Sequence, residues 1–446
     1  MPLIDVLPQR KRLCCSKVSL LHLLVFLFPN ILSANMTRIT LTTLLTTLAF
    51  AMGATMALAG PSRLGAENQT LHSRALEMTY LKQSMAASSM SRPVGAFGTS
   101  YQLSAGNLFA WQSKSPHNEA DTEAVYIITH GVDRNANDYF TYLNNAFQKA
   151  NSAGLAPTNS LRVAPAFYDA SADKSSLDSS TLAWGAGNRW CIGEGSTHPK
   201  GSNLSPFTVY DELIEKFSNR LGKCAGVRRR GIHKSPTDTD ATNSRHPRLA
   251  AYPNVKSITL IGHGCGAITT QRYSALRTAD GGSIQLRFVV GNPSTMLYFT
   301  GDRPSSLNRK SCSEWNDFFY GLDQFYVPYT YSGSPFGTFS KYAQRDVRYL
   351  VGLNDNGADG DQTCAAKAMG GVKRKDRTRA YWKYINLLSG KSADSVSQYP
   401  GNFNNLDASS FAGSQLNHQL VEVSGVGHSA SGVLNSQDGQ QAVFGQ

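Results

Sequence analysis

Residues 258–267 read Ile-Thr-Leu-Ile-Gly-His-Gly-Cys-Gly-Ala, and this stretch decides the fold. Its first four residues are apolar or β-branched, which is typical of a buried strand. Glycine then occupies every second position, and a helical pattern begins directly afterwards. We therefore predict a strand that turns sharply into a helix at residues 262–266.

A strand, a glycine-framed turn and a helix in this order match the nucleophile elbow, whose usual pattern is Gly-x-Ser-x-Gly. The frame is intact here, but Gly264 occupies the position of the nucleophile. Glycine has no group that can attack a carbonyl carbon. The sequence therefore predicts the architecture of a hydrolytic site together with impaired chemistry.

Apolar runs with strand character alternate with helical patterns along most of the chain. After an edge strand or hairpin at 101–111, strands are predicted at 124–129, 161–167, 257–261, 285–290, 347–353 and 420–424. Helices are predicted at 137–150, 206–224, 265–276 and 378–388. This alternation favours an α/β fold with a mostly parallel sheet and helices on both faces. In such sheets the functional groups lie at the carboxyl ends of the strands.

The chain has 446 residues, of which 41% are hydrophobic and 17% charged, as is typical of a globular protein. We predict a leader at 1–59, an N-terminal extension at 60–95 and one domain at 96–446. Within this domain, residues 292–345 are rich in aromatic residues, glycine and proline and have no clear period. We expect them to form a cap inserted over the sheet.

Candidate catalytic positions follow the strand ends in the order nucleophile, acid, histidine. They are Gly264, Asp355 and His428. A carboxylate at Asp355 would fix the tautomer of His428, whose imidazole would act as the base. Asp359 and Asp361 are alternatives for the acid, because the sequence does not place their loop. The simpler interpretation of Asp355 is a turn residue, and that of His428 is an ordinary loop histidine.

Two backbone N–H groups are candidates for an oxyanion hole. Gly131 follows His130 at the end of an early strand, where α/β-hydrolases supply one such donor. Cys265 follows the nucleophile position and would supply the other. The simpler interpretation of His130-Gly131 is a turn that ends the strand.

Several short segments occur in an order and spacing that resemble the α/β-hydrolase superfamily, in particular secreted, uncharacterised fungal proteins of esterase or lipase type. The resemblance covers about residues 95–435 and rests on Thr129-His130-Gly131, Arg134-Asn135, Leu260-Ile261-Gly262-His263, Gln271-Arg272-Tyr273, Gly291-Asn292-Pro293-Ser294, Arg345-Asp346-Val347-Arg348-Tyr349-Leu350 and Gly425-Val426-Gly427-His428-Ser429. It implies a Ser–Asp/Glu–His site with a Gly-His-Ser-Ala-Gly elbow, and this chain departs from that pattern at Gly264.

Gly264 separates two functional hypotheses. The first is a secreted pseudoenzyme that binds a small ester-like or apolar ligand or a protein partner. The second is an active carboxylic-ester hydrolase that uses Cys265 or a water held by His428. Cys265 lies one residue too late, so its side chain would point into the first helical turn, and its simpler interpretation is a small buried residue. A one-codon error at Gly264 is a further alternative.

Two apolar stretches occupy the leader. The second follows Met36-Thr37-Arg38 and ends Ala57-Leu58-Ala59 before Gly60, which is a pattern typical of a cleaved secretory signal. We expect secretion, with Met36 as the true start. The alternative is a membrane anchor formed by residues 18–32, which would be the chain's membrane contact if the leader stays uncleaved.

Export changes the interpretation of the cysteines. Cys14 and Cys15 belong to the leader, and five cysteines remain. In an oxidising compartment four of them should pair. We expect Cys191–Cys224 and Cys312–Cys364, with Cys265 left over, although other connectivities stay open. Asn68 and Asn203 begin Asn-x-Ser/Thr acceptors for glycosylation.

The net charge of +12 includes two basic patches, at residues 226–250 and 372–379. We interpret both as solvated loops, and nucleic-acid binding is not expected because neither interleaves basic with aromatic residues. No cofactor and no metal are predicted, since phosphate-binding, dinucleotide and zinc-ligand spacings are all missing from the sequence. The cap aromatics either line an apolar pocket or pack the cap itself; they are Trp315, Phe318, Phe319, Tyr320, Phe325, Tyr326, Tyr329 and Tyr331.

Overall fold

The computed structural model describes residues 90–218, 251–279, 282–331 and 333–445. The leader, Asn68, Cys224 and the basic patch at 226–250 lie outside these ranges, so the expectations for them stay predictions. Asn203 is described and is exposed in the loop before residue 206.

The core of the molecule is an eight-stranded sheet. In chain order its strands are β1 (Ala96–Leu103), β2 (Gly106–Ser113), β3 (Ala124–Thr129), β4 (Ser160–Pro165), β8 (Ser257–His263), β9 (Gln285–Gly291), β10 (Asp346–Gly352) and β11 (His418–Val423). Three short strands, β5 (Tyr168–Asp169), β6 (Ala183–Trp184) and β7 (Ser196–His198), form a second small sheet.

The spatial order of the large sheet is β1-β2-β4-β3-β8-β9-β10-β11. β2 runs antiparallel to both β1 and β4, and every later pairing in the sheet is parallel. In this sheet β4 lies between β2 and β3, so the spatial order of β3 and β4 is the reverse of their chain order, and the elbow strand β8 lies near the centre. This is the arrangement expected of an α/β-hydrolase fold. The predicted fold class is confirmed.

Eight α-helices connect or flank the strands in the described part of the chain. They are α1 (Ala136–Ser152), α2 (Pro206–Phe217), α3 (Cys265–Leu276), α4 (Pro335–Ala343), α5 (Cys364–Ala368), α6 (Arg374–Leu388), α7 (Ala430–Asn435) and α8 (Gln437–Phe444). The predicted helix at 265–276 has the bounds of α3. The sequence analysis missed α7 and α8 because short helices with few apolar residues give a weak periodic signal.

The two faces of the sheet bury separate apolar clusters, as the alternation along β3 shows. Val125 and Ile127 pack in one cluster with residues of α2 and α3. Tyr126 and Ile128 point to the other face and pack with residues of α1 and α8, including Phe444. Side chains of a strand alternate between faces, so a fully apolar strand such as β3 requires helices on both sides.

The disulfides differ in part from expectation. Cys312 pairs with Cys364, as predicted, at a Cα–Cα distance of 5.9 Å. Cys191 pairs with Cys265, at 5.4 Å, and the predicted Cys191–Cys224 bridge is therefore wrong. The physical reason is packing: the 3₁₀ helix Arg189–Ile192 lies against α3, where Thr269 Oγ1 donates to the carbonyl of Cys191 at 3.2 Å. Two disulfides are typical of proteins from oxidising compartments.

No helix in the described ranges is long and apolar enough to cross a membrane.

Residues 292–345 contain little regular structure before α4 and pack over α3. Arg272 of α3 is fully buried and donates to the carbonyls of Thr295 and Phe319. The predicted cap aromatics are all buried or partly buried against one apolar cluster. They therefore hold this segment onto the sheet.

The basic patch at 372–379 is not a solvated loop, and that interpretation is corrected. Most of it forms the first turns of α6, in which Arg374 and Arg377 are buried. Arg377 donates to the carbonyls of Ser294 and Asp361, and Arg379 pairs with Glu422 at 2.7 Å. These arginines donate hydrogen bonds to carbonyl and carboxylate oxygens near the carboxyl ends of the strands. A run of basic residues in the sequence does not show that such acceptors lie nearby.

One buried histidine far from the elbow makes stability depend on pH. His418 of β11 donates from Nε2 to the carbonyl of Tyr342 at 2.8 Å, and burial lowers its pKa to about 4. The unfolded chain binds a proton at this residue near its ordinary pKa of about 6.5. Unfolding therefore takes up a proton between these values, and stability falls as pH decreases through this window.

We expect His418→Gln to remove this contribution, because glutamine retains an N–H donor but does not titrate. The free energy of unfolding of the unmodified chain should fall more steeply with acid, by up to about 1.4 kcal/mol per pH unit, than that of the variant. Urea unfolding at about pH 6.5 and about pH 5 measures both slopes. Equal slopes for the two proteins would contradict the assignment.

Candidate active site at the carboxyl ends of the strands

The elbow forms as predicted between β8 and α3. A side chain at Gly262 would place its Cβ 2.2 Å from the carbonyl oxygen of Gly266. A Cβ at Gly266 would lie 2.4 Å from the carbonyl oxygen of Thr129. Both contacts are with backbone, so only glycine fits at the two ends of the frame, and α3 approaches β3 closely.

Gly264 has φ 59° and ψ −114°, a backbone conformation that side-chain-bearing residues rarely adopt. A Cβ built there would meet only His428, with Nε2 at 3.4 Å and Cε1 at 3.7 Å. The position therefore retains the backbone and the surroundings of a nucleophile, and it faces the imidazole, but it carries no nucleophilic atom.

Asp355 lies beside His428, as predicted for the triad acid. It is 1% exposed, and its Oδ2 accepts a hydrogen bond from His428 Nδ1 at 2.9 Å. This bond leaves Nε2 of the imidazole directed toward Gly264. Asp359 instead pairs with Arg374, and buried Asp361 accepts from Tyr320 and from the backbone of Thr363. The structure brings Gly264, Asp355 and His428 together. The structure records no hydrogen bond from His428 to Asp359 or Asp361, the two alternatives for the acid, within the described residues.

Arg374 is a neighbour of the acid that the sequence analysis missed. Its Nη1 lies 3.4 Å from Asp355 Oδ1 and 2.8 Å from Asp359 Oδ1. A guanidinium at this place offsets the charge of the buried carboxylate. Its only sequence signal was membership of a basic run, which gave no indication of burial.

His263, inside the elbow motif, packs against His428 with 4.6 Å between the ring centroids. Burial, together with the charges of His428 and Arg374, holds the pKa of His263 well below its ordinary range. Asn292 Nδ2 donates to Nε2 of His263 at 3.4 Å, and Tyr139 contacts Nδ1 at 3.1 Å. His263 is therefore a neutral, fully packed wall of the site.

Asn292 connects the loops that carry the site. Its backbone has φ 45°, its N–H donates to Leu350 at 2.9 Å, and its Oδ1 accepts from the N–H of Gly352 at 2.8 Å. Its Nδ2 also donates to the carbonyl of Gly427 at 3.1 Å, next to His428. The ends of β9 and β10 and the histidine loop are thereby fixed to one another.

The loop after β3 carries the predicted oxyanion residue Gly131. His130 is buried, donates from Nδ1 to the carbonyl of Gly131 at 2.8 Å, and accepts from Phe167 N–H on Nε2 at 2.9 Å. Burial lowers its pKa to about 3, so it stays neutral. Its carbonyl accepts from Gly266 N–H at 3.0 Å, which ties this loop to the elbow.

Cys265, the other predicted oxyanion residue, begins α3, so its N–H precedes the intrahelical hydrogen bonds. Its sulfur is bonded to Cys191. The expectation that Cys265 is the unpaired thiol is wrong, and so is the hypothesis that it acts as the nucleophile, because a disulfide sulfur is not a thiolate. Tertiary contact between α3 and a segment 74 residues earlier decides the pairing.

We expect the double variant Cys191→Ala, Cys265→Ala to lose about 2–4 kcal/mol of unfolding free energy, because the bridge closes a long loop. Urea unfolding with and without a thiol reductant measures this loss. Reductant should destabilise the unmodified chain more than the double variant. Equal sensitivity of the two proteins would show that the other bridge accounts for the whole effect.

A cavity of about 320 Å³ opens at these groups, and we call it the elbow cavity. Residues of the triad positions, the loop after β3, α6 and the histidine loop line it; they are Gly131, Val132, Asp133, Asn135, Tyr139, Tyr142, His263, Gly264, Cys265, Ile268, Ser294, Asp359, Gly360, Arg374, His428, Ser429, Ala430 and Ser431. Ser294 is 5% exposed, and its Oγ has no hydrogen-bond partner among the described residues. None of the predicted cap aromatics is among these described lining residues.

No protein-family model and no curated protein matches the chain. Among solved structures, LpqC, a poly(3-hydroxybutyrate) depolymerase from Bordetella parapertussis, is 15% identical, with a TM-score of 0.47 over 77% of this chain and 88% of its own. Poly(aspartic acid) hydrolase-1 from Sphingomonas sp. KT-1 is also 15% identical, with a TM-score of 0.46 over 79% and 100%. Siderophore hydrolase EstB from Aspergillus nidulans is 9% identical, with a TM-score of 0.39 over 80% and 97%.

Proposed function

We propose that this chain is a secreted pseudoenzyme of esterase-like ancestry that binds an ester-like or acyl ligand in the elbow cavity without forming an acyl-enzyme. The observation that carries the proposal is Gly264. It holds the backbone of a nucleophile elbow and faces His428 Nε2, yet it has no atom that can attack. Covalent catalysis of the serine type is therefore closed to it.

Retention of the remaining groups supports a binding role. Asp355 and His428 keep the hydrogen bond of an acid and a base, and Gly131 and Cys265 line the same cavity. Buried charges such as Asp355 and Arg374 are costly unless they are paired. A ligand that forms hydrogen bonds with the polar groups of the cavity would offset the cost of burying Asp355 and Arg374.

The test measures hydrolysis and binding on one protein sample. The unmodified chain is incubated with a panel of short-chain p-nitrophenyl esters, and its melting temperature is followed with the corresponding non-hydrolysable ketones. We expect no hydrolysis above that of His428→Gln, together with a rise in melting temperature for at least one ketone. Turnover that His428→Gln abolishes would overturn the proposal.

A second candidate function is hydrolysis by a water that His428 activates. The intact Asp355–His428 pair next to an unfilled position favours it, because a base in that place can deprotonate water as well as serine. This activity would show no burst and no fluorophosphonate labelling, and both His428→Gln and Asp355→Asn would abolish it. Labelling of the unmodified chain would exclude it.

Secretion is proposed on the signal-like leader and is supported by the two disulfides. N-terminal sequencing of the mature chain is expected to start at Gly60. A chain that retains residues 18–32 would favour the membrane-anchored alternative. Removal of N-glycans should lower the apparent mass if Asn68 or exposed Asn203 is modified.

A further inference from the structure

The space next to Gly264 is bounded by polar groups that match one ligand chemistry. On one side is His428 Nε2, 3.4 Å from the place of a Cβ. On another is the N–H of Cys265, at the positive end of a 12-residue helix. Arg374 also lines the cavity. The N–H of Cys265 donates a hydrogen bond, Arg374 carries a positive charge, and Nε2 of His428 becomes a donor when the imidazole is protonated.

Ser294 provides an independent sign of a ligand in the same place. It lines the elbow cavity, it is 5% exposed, and its Oγ has no partner among the described residues. A buried hydroxyl without a hydrogen bond is unfavourable by roughly 1–3 kcal/mol. A ligand oxygen would satisfy it.

We propose that the elbow cavity binds the carboxylate group of an organic acid, with one carboxylate oxygen in the place that a serine Oγ would take beside His428 and the other toward Cys265 N–H and Ser294. This inference rests on the proposed function, and it names the ligand class of that site. Such a carboxylate is the acid that hydrolysis of an ester would release.

The charges around His428 determine how such a ligand is held. Asp355 accepts from Nδ1, the neutral imidazole of His263 packs at a tilt against the ring, and Arg374 contacts both Asp355 and Asp359. Asp359 is more than half exposed and Asp133 is exposed, so solvent screens both carboxylates. Inside the cavity, the charges of Asp355 and Arg374 balance.

The negative charge of a bound carboxylate would add to a site in which the charges of Asp355 and Arg374 already balance. One further positive charge is needed to offset it. Nδ1 of His428 already donates to Asp355, so Nε2 donates to the ligand only when the imidazole carries a second proton. The complex therefore holds one proton more than the free protein and the free anion together. Because formation of the complex adds a proton, carboxylate binding should weaken as the pH rises.

The experiment titrates the purified chain with a panel of linear carboxylates from acetate to dodecanoate, with hexanoate compared directly with hexanamide and hexan-1-ol. Calorimetry in phosphate and in Tris, which differ in ionisation enthalpy, gives the number of protons taken up. We expect a carboxylate to bind with uptake of about one proton, and the amide and the alcohol to bind at least about tenfold more weakly.

Three variants assign the binding to the place argued. Gly264→Ala puts a methyl group in ordinary contact with His428 and should weaken carboxylate binding about tenfold or more. His428→Gln should abolish the proton uptake, and Ser294→Ala should weaken binding about tenfold without changing the uptake. The matched control Ser410→Ala changes an exposed serine that does not line the elbow cavity and should leave both quantities unchanged.

The outcomes separate this inference from the proposed function. If no carboxylate binds, or if hexanamide binds as tightly as hexanoate, the carboxylate site is wrong, whereas the absence of ester hydrolysis still supports a pseudoenzyme. If the unmodified chain hydrolyses esters and also binds the acid with proton uptake, the pseudoenzyme proposal fails and the carboxylate site stands as a product site.

Discussion

Gly264→Ser is expected to turn this chain into a serine hydrolase that reacts with fluorophosphonate probes and hydrolyses short-chain esters. The backbone at residue 264 already has a φ of 59°, so the serine would take up a strained conformation that the fold already imposes at this position. Its Cβ would lie 3.4 Å from His428 Nε2, in ordinary contact, and its Oγ would be within hydrogen-bonding reach of that nitrogen.

The size of the effect follows from what the serine completes. Removing the nucleophile from an intact triad lowers kcat by about 10⁶-fold, and the remaining acceleration comes from binding and the oxyanion donors. Supplying a serine to a site in which Asp355 and His428 are aligned should therefore raise turnover by between about 10² and 10⁶-fold. The lower bound allows for a cavity that does not fit the ester tested.

Gly264→Ala is the matched control, because it imposes the same backbone strain and adds the same Cβ without a hydroxyl. It should neither label nor turn over ester. Adding His428→Gln to Gly264→Ser should abolish labelling, since the hydroxyl then has no base. If Gly264→Ser folds and binds ketones yet is not labelled, then the predicted oxyanion donors or His428 are not oriented for reaction with a serine. The geometry argued for the site would then be wrong.

The sequence predicted the elbow well because its glycines carry steric information. At Gly262 and at Gly266 a backbone oxygen lies within 2.4 Å of the place where a Cβ would be, so each position requires glycine. Because of this steric requirement, the pattern can be recognised in a single sequence. The alternation of strands and helices likewise follows from burial on both faces of a parallel sheet. Asp355 and His428 could be placed because each lies in the loop that follows a strand, β10 and β11 respectively.

The disulfide at Cys265 and the burial of Arg374 and Ser294 were not predictable in the same way. Each depends on which distant segment packs against the residue, and spacing along the chain does not contain that information. Arg374 begins α6 but reaches the loop after β10, and Cys265 meets a 3₁₀ helix from another part of the chain. The sequence therefore indicated the scaffold of the site and missed Arg374 and Ser294 among the residues that line the elbow cavity.

The buried pair Arg134–Asp173 gives the second large expected effect. Both side chains are fully buried, and Arg134 Nε donates to Asp173 Oδ2 at 2.7 Å. Arg134 has φ 56°, and its Nη1 donates to the carbonyl of Val132 and to Asn188 Oδ1, each at 3.0 Å. The guanidinium thus holds its own loop, which contains Gly131, against the segment that follows β5.

Asp173→Ala should lower the free energy of unfolding by about 3–5 kcal/mol, because it removes a carboxylate that pairs with a buried guanidinium. Asp173→Asn should lose less, since it retains an acceptor for Arg134 but not the charge. Urea unfolding measures both losses. Replacing both partners by apolar residues, as in Arg134→Met with Asp173→Leu, should be less destabilising than Asp173→Ala, because no charge is then buried alone.

The same variants test whether the pair also positions Gly131, the predicted oxyanion residue. In the Gly264→Ser background, a pair that only stabilises the fold would lower the amount of folded protein and leave the kcat of the folded fraction unchanged. A pair that positions Gly131 would lower kcat by about 10²–10³-fold, the loss typical of one oxyanion donor, at little change in KM. Because Arg134 bonds to the carbonyl next to Gly131, we expect the second result, with a smaller loss for Asp173→Asn than for Asp173→Ala.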